Sequence, residues 1–328
     1  MEPTKTNSQF CSIIIPTFNR EHLIRETITS ALAQTVQNIE VIVQDNASTD
    51  ATWRVVCEMA LSDGRVRPER NISNIGPVRN WVAGIRRARG EFGMLLWSDD
   101  LLAPNFLEKT IPILADPSIG FVYTGVRIFS GSKFRDRYLR TATGTIDSRK
   151  FIEELILWAD VPVSPGCALF RLKDLKNCLT PEILTPTGSD FAGHGIGPDA
   201  FLLLKVAGIY PRVAHVSEIL AFFRAHPGSI SASSTKARVV LHYDLVFAHF
   251  LETTSPSTML LRRFLSILRI HLLLYDGRPW GLSREEAFFF RHRSLPTSFR
   301  FLLKKSWELA RRKLFNTKEP VVLSTPAS

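Results

Sequence analysis

"CSIIIPTFNREHLIRETITSALAQTVQNIEVIV", Cys11 to Val43, decides the fold. Its two ends, "CSIII" and "IEVIV", are short β-branched runs of the kind needed by a strand buried within a parallel sheet. Between them, "HLIRETITSALAQ" spaces Leu23, Thr27 and Leu32 at helical intervals, and Pro16 to Arg20 make the turn. A strand, a helix and a second strand joined in this way imply a parallel pair with a right-handed crossover.

The pattern continues outward from that unit. In "DNASTD", Ser48, Thr49 and Asp50 offer N-caps to a helix running through Val55 and Met59. Pro77 is suited to the first position of a helix reaching Arg89, "FGMLLW" is a third or fourth strand, and Pro104 opens a further helix. This alternation predicts an α/β fold, a Rossmann-like open and mostly parallel sheet with helices on both faces. Ligands of such sheets sit beyond the carboxyl ends of the strands. Further on, "EILAFFRAHPGSIS" puts Ile219, Ala221 and Phe223 on one side of a strand, with Arg224 and His226 emerging at its end.

Composition sets the bounds. With 328 residues, 45% hydrophobic and 22% charged, the chain has the material for a large core and too many apolar residues for disorder. No apolar run approaches the roughly 20 residues that span a bilayer, and Met1 to Gln9 lacks the apolar core of a signal peptide. A cytoplasmic location is expected. The four cysteines, Cys11, Cys57, Cys167 and Cys178, show no paired spacing, which predicts reduced thiols rather than a zinc knuckle or a redox pair. Between Ser257 and Lys318 the chain carries 14 Lys or Arg against 4 Asp or Glu, so the whole formal charge of +10 resides there. That asymmetry points to an anionic surface met by one end of the molecule.

The chemistry-bearing residues fall at the expected strand ends. Pro16, Thr17, Asn19 and Arg20 follow the first strand, Asp45 and Asn46 the second, and Ser98, Asp99 and Asp100 the "MLLW" strand. Three acids and two arginines, Arg20 and Arg79, thus converge on one rim. There is no G-x-G-x-x-G after the first strand and no G-x-x-x-x-G-K-[ST] anywhere, which disfavours a dinucleotide oxidoreductase and a P-loop nucleotidase. Without a glycine loop, phosphates need another counter-charge. A divalent cation on the Asp99–Asp100 pair supplies it, and hard oxygen ligands suit Mg2+ or Mn2+.

Four motifs, "IIIPTFNR", "VIVQDNASTD", "NIGPVRN" and "LLWSDDLLAPNFLE", resemble in order and spacing the family 2 glycosyltransferases of GT-A fold, over roughly Cys11 to Ser231. The resemblance implies that Thr17, Asp45 and Arg79 contact the nucleotide of a sugar donor, and that Asp99 and Asp100 match the Asp-rich motif holding ribose and metal. Asp100 is the stronger metal candidate. The full donor set becomes Pro16, Thr17, Asn19, Arg20, Asp45, Asn46, Arg79, Ser98, Asp99 and Arg224. Trp97 stands where many relatives carry an earlier Asp. Asp199, at the start of an apolar helix, would serve the dipole in any protein; the resemblance implies that it is the catalytic base, although Pro198 replaces the first acid of the usual pair. A "YR-x-H"-like stretch implies Arg224 on the diphosphate and His226 on the metal or diphosphate. Trp158 and His194 are assigned to the acceptor side.

The expected organisation is a disordered 1–9, a GT-A domain over 10–231 with nucleotide and acceptor halves meeting near 115, and a basic helical region over 232–328. In "SFRFLLKKSWELARRKLF", Phe299, Leu303, Trp307, Ala310 and Leu314 share one helical face, and "MLLRRFLSILRIHLLLY" is similar but more apolar. Such stripes pack on the catalytic domain or lie in an anionic headgroup layer; the second suits a polyprenyl-linked glycan acceptor at the inner face of a bacterial plasma membrane. No nucleic-acid motif stands out. The leading expectation is an inverting, metal-dependent glycosyltransferase of surface polysaccharide synthesis, such as an O-antigen. A nucleotidyltransferase that makes an activated sugar and a catalytically idle nucleotide-sugar or membrane-binding protein are the alternatives.

Overall fold

The computed structural model describes residues 10–229, 234–254 and 256–291, together with 296, 298 and 301. Strands β1 (Cys11–Thr17), β2 (Ile39–Asp45), β3 (Val66–Arg70) and β4 (Phe92–Leu95) form a parallel block in the order β3-β2-β1-β4. Every residue of β1 and β2 is buried, which is why their sequences are near-continuous apolar runs. Helices α1 (Ile24–Leu32) and α2 (Thr52–Ser62) connect the outward steps from β1 to β2 to β3, and α3 (Pro77–Arg87) connects the return from β3 to β4. Right-handed crossovers running in opposite directions put α3 on the other face of the sheet. The reversal opens a crevice beyond the ends of β1 and β4.

β3 was not read from sequence. Its "VRPER" is polar because it is an edge strand, where Pro68 forfeits no ladder bond toward solvent. α2 begins at Thr52, so Ser48 and Thr49 precede it. The N-cap is Ala51, whose side chain offers no acceptor; Asp50, one residue earlier, accepts the Thr52 N–H at 2.9 Å.

The second half completes a mostly parallel, mixed sheet. β5 (Leu101–Leu102) is followed by α4 (Phe106–Leu114), β6 (Ile119–Ser130), β7 (Lys133–Arg137), β8 (Gly144–Asp147) and α5 (Ser148–Ile156). Then come β9 (Ala168–Arg171), α6 (Leu172–Cys178), the single turn α7 (Phe191–His194), α8 (Pro198–Ile209) and β10 (Arg212–Arg224). β10 runs parallel to β6, whereas β9 lies antiparallel between β4 and β6. The two-residue β5 pairs antiparallel with Ala221 and Phe222, which brings the turn after β4 against the end of β10. All four cysteines are free thiols.

Helices α9 (Lys236–Thr254) and α10 (Thr258–Leu274) follow. Eleven residues of α9 between Val240 and Leu251 are buried, so this helix is covered on nearly every side, by α8 among others. In α10, Phe264, Leu265, Ile267 and Leu268 are buried. The middle of this apolar stripe is therefore turned inward, where burial removes it from water, while Met259, Leu273 and Leu274 stay exposed. The Phe299–Leu314 stripe lies outside the described residues. Among the described residues no helix is long and apolar enough to cross a membrane.

Candidate active site

The turn after β4 carries the acid pair. Leu96 N–H donates to Ile14 O, and Asp100 N–H donates to Trp97 O at 3.0 Å, which closes the turn and points both carboxylates toward the end of β10. Asp100 is buried. Its Oδ1 accepts the Arg224 N–H at 2.8 Å, and burial, then the charge of Asp99, push its carboxyl well above the usual carboxylate range. Asp99 Oδ2 lies 2.7 Å from His226 Nε2, while Arg224 Nε donates to Asp99 O and Arg224 Nη2 to Glu26 Oε2 at 2.6 Å. Arg20 reaches across from the first loop, Nη2 donating to Gly228 O at 2.8 Å. Strand ends more than two hundred residues apart in sequence are thus tied over one crevice.

The second strand end is tightly bound internally. Asp45 is fully buried; it accepts from the Ser48 N–H and hydroxyl and pairs with Arg70 Nε at 3.0 Å. Asn46 donates to Asn74 Oδ1 at 2.8 Å and Gly76 O at 3.3 Å, and accepts from Asn71 Nδ2 and Ile75 N, each at 3.0 Å. Its amide holds the 71–76 loop at the end of β2. Asn19, in the left-handed region at φ 50°, accepts the Thr49 N–H at 2.9 Å. The Thr17 hydroxyl is buried without a partner among the described residues, and Ser98 is buried beside the acid pair. Pro16 precedes Thr17 in β1, its register partner being Gln44. Arg79 is half-exposed on the first turn of α3, 3.6 Å from Glu182.

Asp199 stands in the first turn of α8. Oδ1 accepts the N–H groups of Gly197 (3.1 Å) and Ala200 (2.9 Å), and Oδ2 accepts the Tyr243 hydroxyl at 2.7 Å. Burial raises its carboxyl from 3.8 to about 6, against the lowering effect of those donors. Gly76, at φ 84°, sits so close to α7 that a Cβ would meet Ala192 O at 2.8 Å, so α7 and its His194 lie over the start of α3. His194 donates through Nε2 to Ser189 Oγ (3.1 Å) because Nδ1 accepts the Ile196 N–H (3.1 Å); burial, then neighbouring His242 and Arg238, hold it neutral at about 4.

Trp158 is partly buried after α5. Its indole N–H donates to buried Asp244 at 2.9 Å, and its ring packs edge-on against Tyr243, Phe247 and His271. Asp244 Oδ2 also takes His271 Nδ1 at 2.6 Å, so this carboxylate joins α9, α10 and the loop after α5. Asp244→Asn is expected to cost about 2 kcal/mol, since two charge-assisted bonds weaken together; chemical denaturation measures it. Tyr243 and Asp244 were missed from sequence. The signal was present in "VVLHYDLVFAHF", where polar groups interrupt an otherwise apolar helix and must find buried partners.

The residues at the acid pair fit a divalent cation. Among the described residues no three His, Cys, Asp or Glu side chains stand as a ready-made cage. Mn2+ or Mg2+ held by one or two carboxylates together with phosphate oxygens needs none. Asp100 Oδ2 has no protein donor among the described residues, which leaves a lone-pair face for such an ion.

A mostly parallel sheet that carries an acid pair beside its reversal point is an α/β architecture, and the solved structures it resembles are of the GT-A type. The chain belongs to glycosyl transferase family 2, whose profile matches residues 12–179. An uncharacterized glycosyltransferase of Rickettsia typhi is 37% identical over 275 residues, covering 78% of this chain and 76% of that protein. The Escherichia coli UDP-Glc:alpha-D-GlcNAc-diphosphoundecaprenol beta-1,3-glucosyltransferase WfgD is 33% identical over 128 residues, 39% of this chain and 50% of its own length. Among solved structures, S. aureus TarS 1-349 with UDP-GlcNAc superposes at a TM-score of 0.62, 18% identity, covering 84% of this chain and 77% of that one. A Pyrobaculum calidifontis mannosyltransferase with GDP-Man and Mn2+ gives 0.52 at 18% identity, covering 95% and 84%. At those identities the structures establish a shared fold.

Proposed function

We propose that this protein is an inverting, metal-dependent glycosyltransferase that moves a sugar from a nucleotide-sugar donor to a hydroxyl of a lipid-linked glycan. The observation that carries the reading is the turn bearing Asp99 and Asp100, closed by Arg224 and His226 from the far end of β10. The sugar nucleotide occupies the crevice beyond β1 and β4, with Thr17, Arg20 and Arg79 on its nucleotide side. Asp100 and Asp99, with His226, would hold Mn2+ or Mg2+, which when bound supplies counter-charge to a departing nucleoside diphosphate. Arg224 adds a fixed guanidinium beside that charge. Asp199 accepts the proton of the acceptor hydroxyl as its oxygen attacks the anomeric carbon, and a carboxyl near 6 is suited to that task at neutral pH.

The lipid-linked acceptor is supported by the diphosphoundecaprenol-linked acceptor of the E. coli relative and by the basic excess after Ser257. Peripheral contact with the inner face of a plasma membrane follows from that excess. Full-length protein is expected to float with vesicles containing anionic phosphatidylglycerol and to stay behind with neutral phosphatidylcholine; equal flotation with both removes the electrostatic argument. The donor is found by melting shifts against a panel of nucleotide sugars with Mn2+, because ligand bound to the folded form raises its stability. No shift and no turnover with any of them, in a folded protein, would instead favour an idle binding protein. Release of pyrophosphate from a nucleoside triphosphate and a sugar phosphate would favour a nucleotidyltransferase.

A further inference from the structure

We propose that Tyr243, delivered by α9 from the C-terminal helical layer, is the positioning residue for Asp199: its hydroxyl holds Oδ2 while two backbone N–H groups hold Oδ1, so that one defined lone pair faces the acceptor. The proposal rests on the reading of Asp199 as the base.

Three donors arrive at Asp199 from two elements, and the only side chain among them is Tyr243, at 2.7 Å. Both residues are buried, so this bond is not exchanged for water. The tyrosine ring is itself held. Trp158 packs against it edge-on, with centroids 6.0 Å apart, and Trp158 is fixed by Asp244, the next residue of α9, which also takes His271 of α10. Neighbouring residues of one helix thus tie the carboxylate on one side and lock the ring that ties it on the other. A carboxylate oxygen has two lone pairs, and Oδ2 spends one on Tyr243. The other accepts the acceptor proton while the new glycosidic bond forms and the bond to the diphosphate breaks, its electron pair leaving with the diphosphate; the tyrosine proton stays in place.

The surroundings leave Tyr243 as the group that tunes this carboxylate. On α9, His242 turns its ring to His194 and Trp280; on α5, Glu153 and Glu154 pair with Arg263 and Arg140. On α6, Asp174 accepts from Tyr210, and Cys178 is a thiol raised by burial. In the 3-10 turn before β9, the thiol of buried Cys167 is raised by burial, as is the hydroxyl of buried Tyr138.

Tyr243→Phe removes the donor and keeps the ring. Unfolding of the full chain followed from pH 4 to 8 needs no substrate: the decline of stability with rising pH, which starts near the unfolded value in both proteins, should continue to a pH about one unit higher than in wild type, and that extension should vanish in an Asp199→Asn background. With the donor found in the screen, the acid limb of the transfer rate should move by the same amount, and the rate should recover toward wild type at high pH. Should Tyr243→Phe fail to fold, 3-fluorotyrosine at position 243, a stronger donor of nearly the same shape, should move both limbs downward. Unmoved limbs, or a shift that persists without the Asp199 carboxylate, overturn the proposal. If Asp199→Asn keeps wild-type turnover, the base reading fails, and the unfolding measurement still reports whether Tyr243 controls that carboxylate.

Discussion

Asp100→Asn is expected to abolish the Mn2+-dependent part of nucleoside diphosphate binding, lowering affinity roughly a hundredfold, about 3 kcal/mol, while the protein stays folded. The amide retains an oxygen for the Arg224 N–H, so the closure between the acid turn and β10 survives. What is lost is the negative charge on the oxygen face without a protein donor. Calorimetric titration with nucleoside diphosphate, with and without Mn2+, reads the effect. The same affinity in variant and wild type under Mn2+ would remove Asp100 from the donor site and with it the central argument for a metal.

Asp199→Asn is expected to leave donor binding intact and to reduce transfer by about a thousandfold, the typical worth of a positioned general base. The pH dependence gives an independent check. The folded carboxyl at about 6 lies above its ordinary 3.8, so the folded protein holds a proton that the unfolded chain has released. Its contribution to stability is therefore complete below about pH 4 and lost as pH rises through 6, on the order of 3 kcal/mol. Asparagine cannot ionise, so the variant should lack that decline and be no less stable than wild type at pH 7. Wild-type transfer should rise with pH through an acid limb near 6. Undiminished turnover in the variant would take Asp199 out of the reaction.

Much of the nucleotide half was legible because parallel strands buried on both sides have a strong signature. "CSIII", "IEVIV" and "FGMLLW" became β1, β2 and β4, and the polar residues after them sit at the crevice. β3 was not legible, since an edge strand has no apolar run to display. Ser48 looked like a helix cap and instead serves the buried Asp45, a choice between two nearby partners that spacing cannot make. Trp158 was read toward the acceptor because it links the two halves. Its partner is Asp244, 86 residues away, and nothing local announces such a pairing.

By itself the sequence determined which polar and charged residues follow each buried strand, because periodicity, turn residues and adjacent charges are local properties. The tertiary structure decided the partnerships: Arg224 and His226 with the acid pair, Arg70 with Asp45, and Tyr243 with Asp199. Those depend on strand order and on where α9 lies against α8. Packing of the whole chain settles both, since a buried polar group takes whichever partner the fold brings within hydrogen-bond reach, however distant in sequence.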